Sequence, residues 1–226
     1  MKTGPSPSRA RSDARPSPPP EAVAAAPASP ASPASPADIN ARIAARVRAL
    51  RAARGLSLEG LAQACGVSRS MISLIERGES SPTAVLLERL ATGLDVPLAG
   101  LFVPDQPAGE PVARRAAQPS WRDPHSGYVR RNVSPPGVAS PIQIVEVAFP
   151  AGARVAYESA QRASPVHQQV WVLEGAMEIA VGDELHRLDE GDCLAFALDR
   201  PTSFHNPTSR IARYAVVLAT LPVPRV

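Results

Sequence analysis

The sequence contains few cysteines and no long hydrophobic run. Its two cysteines, Cys65 and Cys193, lie far apart and outside any CxxC motif or Cys/His cluster. We therefore expect two buried, reduced thiols rather than a disulfide or a zinc site. No apolar run approaches the roughly 20 residues that a membrane span needs. The alanine-rich stretch over residues 22–28 is too short and too interrupted for a signal-peptide core, so we expect a cytoplasmic protein.

Lysine is almost absent, because Lys2 is the only one and arginine supplies the rest of the positive charge. Alanine and proline are abundant as well, and a GC-rich genome produces this pattern without functional selection. The distribution of charge is more informative. Residues 39–102 hold eight basic and five acidic side chains, the clearest positive excess in the chain. Such an excess suits a nucleic-acid partner only if it is concentrated on one face.

The first 38 residues show no hydrophobic periodicity and repeat Ala-Ser-Pro. Proline removes amide donors and fixes φ, and the apolar residues are mostly alanine. Little surface is available to offset the entropy of ordering. We predict a disordered tail over residues 1–38.

Helical periodicity begins after this tail and predicts five short helices over residues 39–103. The first, Asp38–Arg54, has one apolar face, made of Ile43, Ala44, Val47 and Leu50. Ser57 and Ser68 are suitable N-caps for the second and third helices. Pro82 opens the fourth helix, and the segment VPLAGLF closes the set.

The third helix separates two kinds of side chain. Met71, Ile72 and Ile75 fall on one side, whereas the opposite side carries Arg69, Ser70, Ser73 and Arg77. A guanidinium can bridge guanine O6 and N7, and small hydroxyls fit base edges or phosphates. The helix N-termini at Ser57 and Ser68 can offer amides to phosphate oxygens. An ordinary helical bundle with a solvated face is the alternative.

The segment over residues 41–102 resembles the phage-repressor-like (XRE-type) helix-turn-helix family of bacterial transcriptional regulators. The matching residues are Leu61-Ala62, Gly66-Val67-Ser68, Ile72-Ser73, Ile75-Glu76-Arg77-Gly78, Pro82, Leu90 and Leu101-Phe102. The resemblance implies double-stranded DNA as partner and makes Arg69, Ser70 and Ser73 the base-reading residues. It implies for Arg77 a role that partly serves the end of the helix.

From about Trp121 the period changes, and short runs rich in β-branched residues alternate with Gly, Pro, Asp or Asn. Gly182-Asp183 has the position of a two-residue hairpin turn. Closely spaced short strands favour a barrel or sandwich over a βαβ sheet. The proline-rich segment over residues 104–120 is predicted to be a linker.

This β region resembles a small cupin, and the whole arrangement resembles regulators that fuse a helix-turn-helix to a C-terminal cupin. WVLEG, GDCLAF and Asn206-Pro207 carry the resemblance. It implies an α-then-β multidomain protein, with a helix-turn-helix domain over 39–103 and a cupin β-barrel (a double-stranded β-helix) over 121–226.

Cupin enzymes usually hold a metal with two His, one Glu and a further His. Spacing from Gly175 puts Gln168 at the position of the Glu and Ser164 or its neighbour at that of the second His. Spacing from Asn206 puts Thr202 at the position of the last His. Amides and hydroxyls lack the charge and basicity that such metals need. We therefore expect no metal, no cofactor and no enzymatic activity. The remaining histidines, His167 and His205, should face outward if Gln168 and Thr202 face inward, because strand side chains alternate.

A barrel without a metal can still hold one small ligand. The predicted pocket residues, a few polar groups in an apolar lining, are Tyr157, Gln168, Val170, Thr202 and Phe204. A filled barrel that serves only to dimerise is the alternative.

Together these observations predict a dimeric, sequence-specific regulator whose cupin domain pairs subunits and senses a small metabolite. Outward residues such as Trp171 and Val217 would lie at the subunit interface. Two other functions stay open at this point: a metal-dependent cupin enzyme with a DNA-binding appendage, and an architectural DNA binder without a ligand.

Overall fold

The computed structural model describes residues 1, 4, 36–102, 109–138, 140–158 and 165–220. Most of the predicted tail and Ser164 lie outside these residues. The described helical part contains four α-helices, which are α1 (Pro36–Ala53), α2 (Leu58–Cys65), α3 (Arg69–Glu76) and α4 (Ala84–Gly93).

Side-chain caps fix where the short helices begin. The hydroxyl of Ser57 accepts a hydrogen bond from the Gly60 amide at 2.9 Å, and that of Ser68 accepts one from the Met71 amide at 3.3 Å. Each satisfies one of the first-turn amides that a helix cannot pair internally. Gly66 ends α2 with a φ of 65°, in the left-handed region where glycine is favoured. The predicted N-caps are confirmed.

The predicted fifth α-helix is wrong. The segment VPLAGLF forms instead a 3-10 helix, Leu98–Phe102. Asp95 turns the chain with a φ of 45°, and Pro97 cannot donate a backbone hydrogen bond. The five residues that follow are too few for a stable α-helix, and their burial holds them in place.

The helical core has the composition that the periodicity predicts. Ile43, Val47 and Leu50 of α1 are buried, and Ile72 and Ile75 of α3 are almost completely inaccessible. This burial of apolar surface is the main stabilising contribution to helices that are only eight to eighteen residues long.

A partly buried ion pair joins α1 to the end of α3. Nε of Arg51 lies 2.6 Å from one carboxylate oxygen of Glu76, and Nη2 lies 2.8 Å from the other. Arg48 donates to the backbone carbonyl of Glu76. The hydrogen bond to Glu76 raises the pKa of Arg51. Glu76 therefore has a structural role in the helical part.

The described β part has ten strands, all paired antiparallel. They are β1 (Ser120–Arg122), β2 (Val129–Asn132), β3 (Ile142–Phe149), β4 (Arg154–Tyr157), β5 (Val166–Glu174), β6 (Met177–Val181), β7 (Glu184–Leu188), β8 (Cys193–Ala197), β9 (Thr202–His205) and β10 (Ala212–Thr220). One sheet has the order β1-β2-β3-β10-β5-β8, and the other has the order β4-β9-β6-β7.

Side-chain alternation along the strands agrees with the predicted directions. In β5, Gln168 and Val170 are buried, whereas His167 and Trp171 are exposed. Gly182, with a φ of 60°, begins the two-residue turn between β6 and β7, as a type II′ turn requires. The predicted hairpin is confirmed.

The two cysteines are free, but only Cys65 is buried. Cys193 is exposed, so its predicted burial is wrong. It lies on β8, an edge strand of the six-stranded sheet, opposite Trp171 of β5, and both side chains are exposed.

The helical and β parts belong to one compact unit. The carboxylate of Asp123 accepts a hydrogen bond from the Ala84 amide at the start of α4, at 2.9 Å. The Phe102 ring packs against Trp121, which in turn packs against Tyr128, with centroids 5.8 and 5.9 Å apart. The last residue of the predicted linker, Ser120, is the first residue of β1. None of the helices in the described ranges is both long and apolar enough to cross a membrane.

Candidate nucleic-acid interface and internal cavity

The exposed side of α3 begins with Arg69 and Ser70, both of which are solvent-exposed. Within the described residues Arg69 makes no hydrogen bond or ion pair, so its guanidinium donors are available to a partner. The hydroxyl of Ser70 lies 3.2 Å from that of Ser68. The predicted base-reading side chains at the start of α3 are therefore accessible together.

Arg77, at the other end of α3, is held by its neighbours. Its Nε and Nη2 donate to the two carboxylate oxygens of Glu79 at 2.7 and 2.8 Å, and its Nη1 donates to the hydroxyl of Ser73. The hydrogen bond from Arg77 lowers the pKa of Glu79. Arg77 thus offers less free charge than Arg69, in keeping with the helix-end role that its motif implies.

Ser57 and Ser68 are exposed at the first turns of α2 and α3. Both hydroxyls already accept a backbone amide as caps. Their contribution to DNA binding would be to present a helix N-terminus, where amides and the helix dipole favour an anion.

A cavity of about 70 Å³ opens between the β part and α4. Four of the five predicted pocket residues line it: Tyr157, Gln168, Thr202 and Phe204. Val170 does not line it. Its side chain is completely buried, and its partners on the neighbouring strands are Leu194 of β8 and Val216 of β10.

The sequence did not point to several other lining residues. The helical part contributes Glu88, Thr92 and Leu98 to the wall. From the β part, the most notable are Tyr128, Arg130 and Tyr214. No sequence period identifies a cavity that a helix and two sheets build together, because its two sides are far apart along the chain.

All three tyrosines of the chain line this cavity. The hydroxyls of Tyr128 and Tyr157 lie 3.2 Å apart. Burial raises the pKa of Tyr128 to about 12 and raises the pKa values of Tyr157 and Tyr214 well above the ordinary value. Like any tyrosine hydroxyl at neutral pH they are protonated and can donate hydrogen bonds to a ligand, and burial extends this state to higher pH.

Arg130 is the buried cation of the cavity, with only 6% of its surface exposed. Its guanidinium carbon lies 5.5 Å from the centre of the Phe102 ring. Within the described residues, its Nε and Nη2 have no hydrogen-bond partner.

The residues present do not fit a cupin metal centre. Gln168 and Thr202 line the cavity, and neither has the basicity of imidazole or carboxylate. His167 is exposed, and Nδ1 of His205 lies 2.9 Å from Glu178. Across the described ranges, His, Cys, Asp and Glu form no group of three or more that could hold a metal ion.

The capped helices α2 and α3, with the exposed arginine and serines of α3, define a helix-turn-helix DNA-binding protein that carries a β domain. A helix-turn-helix family model matches residues 47–101. The chain is 33% identical over 161 residues to the HTH-type transcriptional regulator SutR of Escherichia coli (strain K12), across 71% of this chain and 84% of that protein.

Two solved structures are also similar to this chain. The structure of an HTH_3 family transcriptional regulator from Vibrio cholerae has a TM-score of 0.66 and 26% identity, and covers 84% of this chain and 100% of that one. A cupin domain of an XRE family transcriptional regulator from Enterobacter cloacae has a TM-score of 0.38 and 20% identity, across 43% of this chain and 98% of that one. The protein belongs to the family of HTH-type transcriptional regulators.

Proposed function

We propose that this regulator is a dimer that reads a specific DNA sequence with α3, and that its β domain, a cupin barrel, pairs the subunits and binds a small-molecule effector. The observation that carries the DNA-reading role is the exposed guanidinium of Arg69, which has no partner in the described part of the chain, beside Ser70 on the first turn of α3. In helix-turn-helix proteins the N-terminal residues of the second helix of the motif contact base edges in the major groove.

Arg69, Ser70 and Ser73 are the proposed base-reading residues, and Arg77 is a secondary one. Arg69 can donate two hydrogen bonds to guanine, which distinguishes this base from the other three. The first turns at Ser57 and Ser68 would contact backbone phosphates, which fix the position of the protein without reading sequence.

Dimerisation follows from the small size of this reading surface. One helix contacts too few bases to select a site among the many that a genome offers, whereas a two-fold pair reads two half-sites. The outer face of the six-stranded sheet supports this role. It exposes Ile142, Ile144 and Trp171 by 46%, 38% and 51%, and half-buried Val217 lies directly opposite Ile144.

The effector role rests on the cavity. Gln168, Thr202 and the tyrosine hydroxyls supply oriented polar groups beside apolar side chains such as Phe204 and Leu218, a combination that is usual for a small-molecule site. Because α4 forms part of the wall, a bound molecule would contact the helical part directly.

Selection of bound duplexes from a random DNA pool by the full-length protein tests the proposal. We expect an enriched inverted repeat with half-sites about 34–36 Å apart, or a multiple of that spacing. Recovery of a pool with no enriched motif would overturn sequence-specific reading. The effector role would be overturned separately if no molecule of a broad metabolite set changed either thermal stability or DNA affinity.

A further inference from the structure

Arg130 is a buried charge that the fold does not satisfy. Only 6% of its surface is exposed, and its Nε and Nη2 have no hydrogen-bond partner within the described residues. Burying a guanidinium without a counter-charge is costly, so proteins normally pair such groups. Its contact with the Phe102 ring is favourable but supplies no hydrogen-bond acceptor in the plane of the guanidinium.

Two other arginines show what the same pair of nitrogens does elsewhere in this chain. Nε and Nη2 of Arg51 hold both carboxylate oxygens of Glu76, and those of Arg77 hold both oxygens of Glu79. This side of the guanidinium matches a carboxylate in spacing and in direction of its donors. Arg130 presents the same two donors in a cavity wall.

The other charged groups of the cavity have partners of their own. Arg200 pairs with Asp199 at 2.9 Å, and Glu158 pairs with Arg89 at 2.7 Å. Glu88 also makes an interaction. Arg130 is therefore the lining charge whose counter-ion is missing among the described residues, and it has the sign that attracts an anion.

We propose that the cavity binds a small organic acid whose carboxylate pairs with Arg130. This inference rests on the proposed effector role of the β domain and specifies the chemistry of the effector. The cavity, with a volume of about 70 Å³, favours a small acid over a large one. The hydroxyls of Tyr128 and Tyr157 and the amide of Gln168 are the groups that orient the rest of the molecule.

The position of Arg130 also links ligand binding to the DNA-binding part. Its guanidinium lies over Phe102, the last residue of the 3-10 helix that follows α4. A carboxylate that pairs with Arg130 weakens the attraction of the guanidinium for the ring, because the pair is neutral. Occupancy thereby changes a contact between the β domain and the helical part, and the resulting effect on DNA affinity must be reciprocal.

The test measures thermal unfolding and equilibrium binding of the full-length protein with acetate, pyruvate, succinate and benzoate at millimolar concentration. The matched neutral probes are acetamide, succinamide and benzamide, and inorganic phosphate tests whether another anion suffices. The variant is Arg130→Met, which keeps the length of the side chain and removes its charge. Arg154→Met is the control, because Arg154 is exposed on β4 and does not line the cavity.

We expect at least one carboxylate to raise the melting temperature of the wild type and of the Arg154→Met variant, while its amide does not. Arg130→Met should weaken that binding by about tenfold or more, and should unfold without ligand at a temperature no lower than the wild type. A lower melting temperature of ligand-free Arg130→Met would indicate a structural role for the charge and overturn the proposal.

The other outcomes separate the two levels of the argument. If only neutral molecules bind, or if the variant keeps carboxylate affinity, the acid-binding site is wrong although the effector role stands. Phosphate binding without carboxylate binding also overturns the organic acid. If neither the acids, the amides nor a broader metabolite set binds, the effector role itself fails.

Discussion

Arginine provides nearly all the positive charge of this chain, and its guanidinium groups lie in different environments. Arg51 is paired with a buried carboxylate, Arg69 is exposed without a partner among the described residues, and Arg130 is buried without one. The first stabilises the helical part, the second is available to DNA, and the third is available to a ligand. Surroundings rather than residue type distinguish these roles.

Replacement of Arg69 by alanine tests base reading. If Arg69 forms a bidentate contact with guanine, Arg69→Ala should weaken binding to the selected operator by about 1–3 kcal/mol more than binding to random DNA. Fluorescence anisotropy with both duplexes at the same salt concentration measures the difference. Equal losses on the two duplexes would instead make Arg69 a phosphate contact.

The three tyrosines should resist ionisation in the folded protein. Because burial raises their pKa values, with that of Tyr128 at about 12, tyrosinate absorbance should not rise near pH 10, where free tyrosine ionises. Above that pH the unfolded chain loses protons that the fold retains, so the free energy of unfolding decreases as pH rises towards about 12. Spectrophotometric titration checks this, and ordinary ionisation near pH 10 without unfolding would show an open, hydrated cavity.

Inward and outward positions could be predicted from the sequence for single residues. Strand alternation placed Gln168 inside and His167 outside, as the structure shows. It could not identify Arg130, because an arginine in the run YVRRNVS is expected to be solvated. Its burial depends on the packing of the helical part against the β domain, where its guanidinium lies over the Phe102 ring.

Among the secondary-structure elements, the attachment of α1 to α3 depends on one carboxylate. Glu76→Ala would leave Arg51 partly buried without its partner, and should reduce the free energy of unfolding by about 3 kcal/mol. Glu79→Ala is the matched control, because Glu79 also pairs with an arginine through two hydrogen bonds but is exposed. It should leave stability nearly unchanged. Urea denaturation measures both, and similar small effects would show that Arg51–Glu76 is dispensable.

The elements with strong local signals could be predicted, and those that depend on packing could not. Serine caps and glycine ends located α2 and α3 from their own residues. The segment VPLAGLF was expected as the short turn that completes a set of five helices, and it forms a 3-10 helix after Asp95, which is left-handed, and Pro97. Cys193 was expected to be buried because its neighbours are apolar, but an edge strand exposes it.

For the molecule as a whole, the exposed face of the six-stranded sheet predicts how subunits pair. Trp171→Glu places a charge on that face, and should convert a dimer to a monomer because an unpaired buried charge at an interface is costly. Leu185→Glu is the control, since Leu185 is 68% exposed on the other sheet. Sedimentation velocity distinguishes the two states.

If Trp171→Glu stays dimeric while Leu185→Glu dissociates, the interface lies on the four-stranded sheet instead. A wild-type protein that is monomeric at micromolar concentration would contradict pairing through either sheet.

The order of the two parts, helical and then β, could be predicted because hydrophobic periodicity changes from helical to alternating near Trp121. Their contact could not. The hydrogen bond from Ala84 to Asp123 and the cavity walls supplied by α4 join residues that are distant along the chain. The pocket therefore differs from the prediction on both sides, through residues of the helical part such as Glu88 and through β residues such as Tyr128 and Arg130.

The most direct test of the central claim is the affinity of the full-length wild-type protein for a selected inverted-repeat operator and for a scrambled duplex of equal length and composition, at physiological salt. Sequence-specific regulation predicts that the operator binds about 1,000-fold more tightly than the scrambled duplex, or more. The ratio of the two affinities should change less with salt concentration than each affinity does. Equal affinities that decrease together as salt increases would show a protein that binds only the phosphate backbone, and would contradict the proposed reading of DNA by α3.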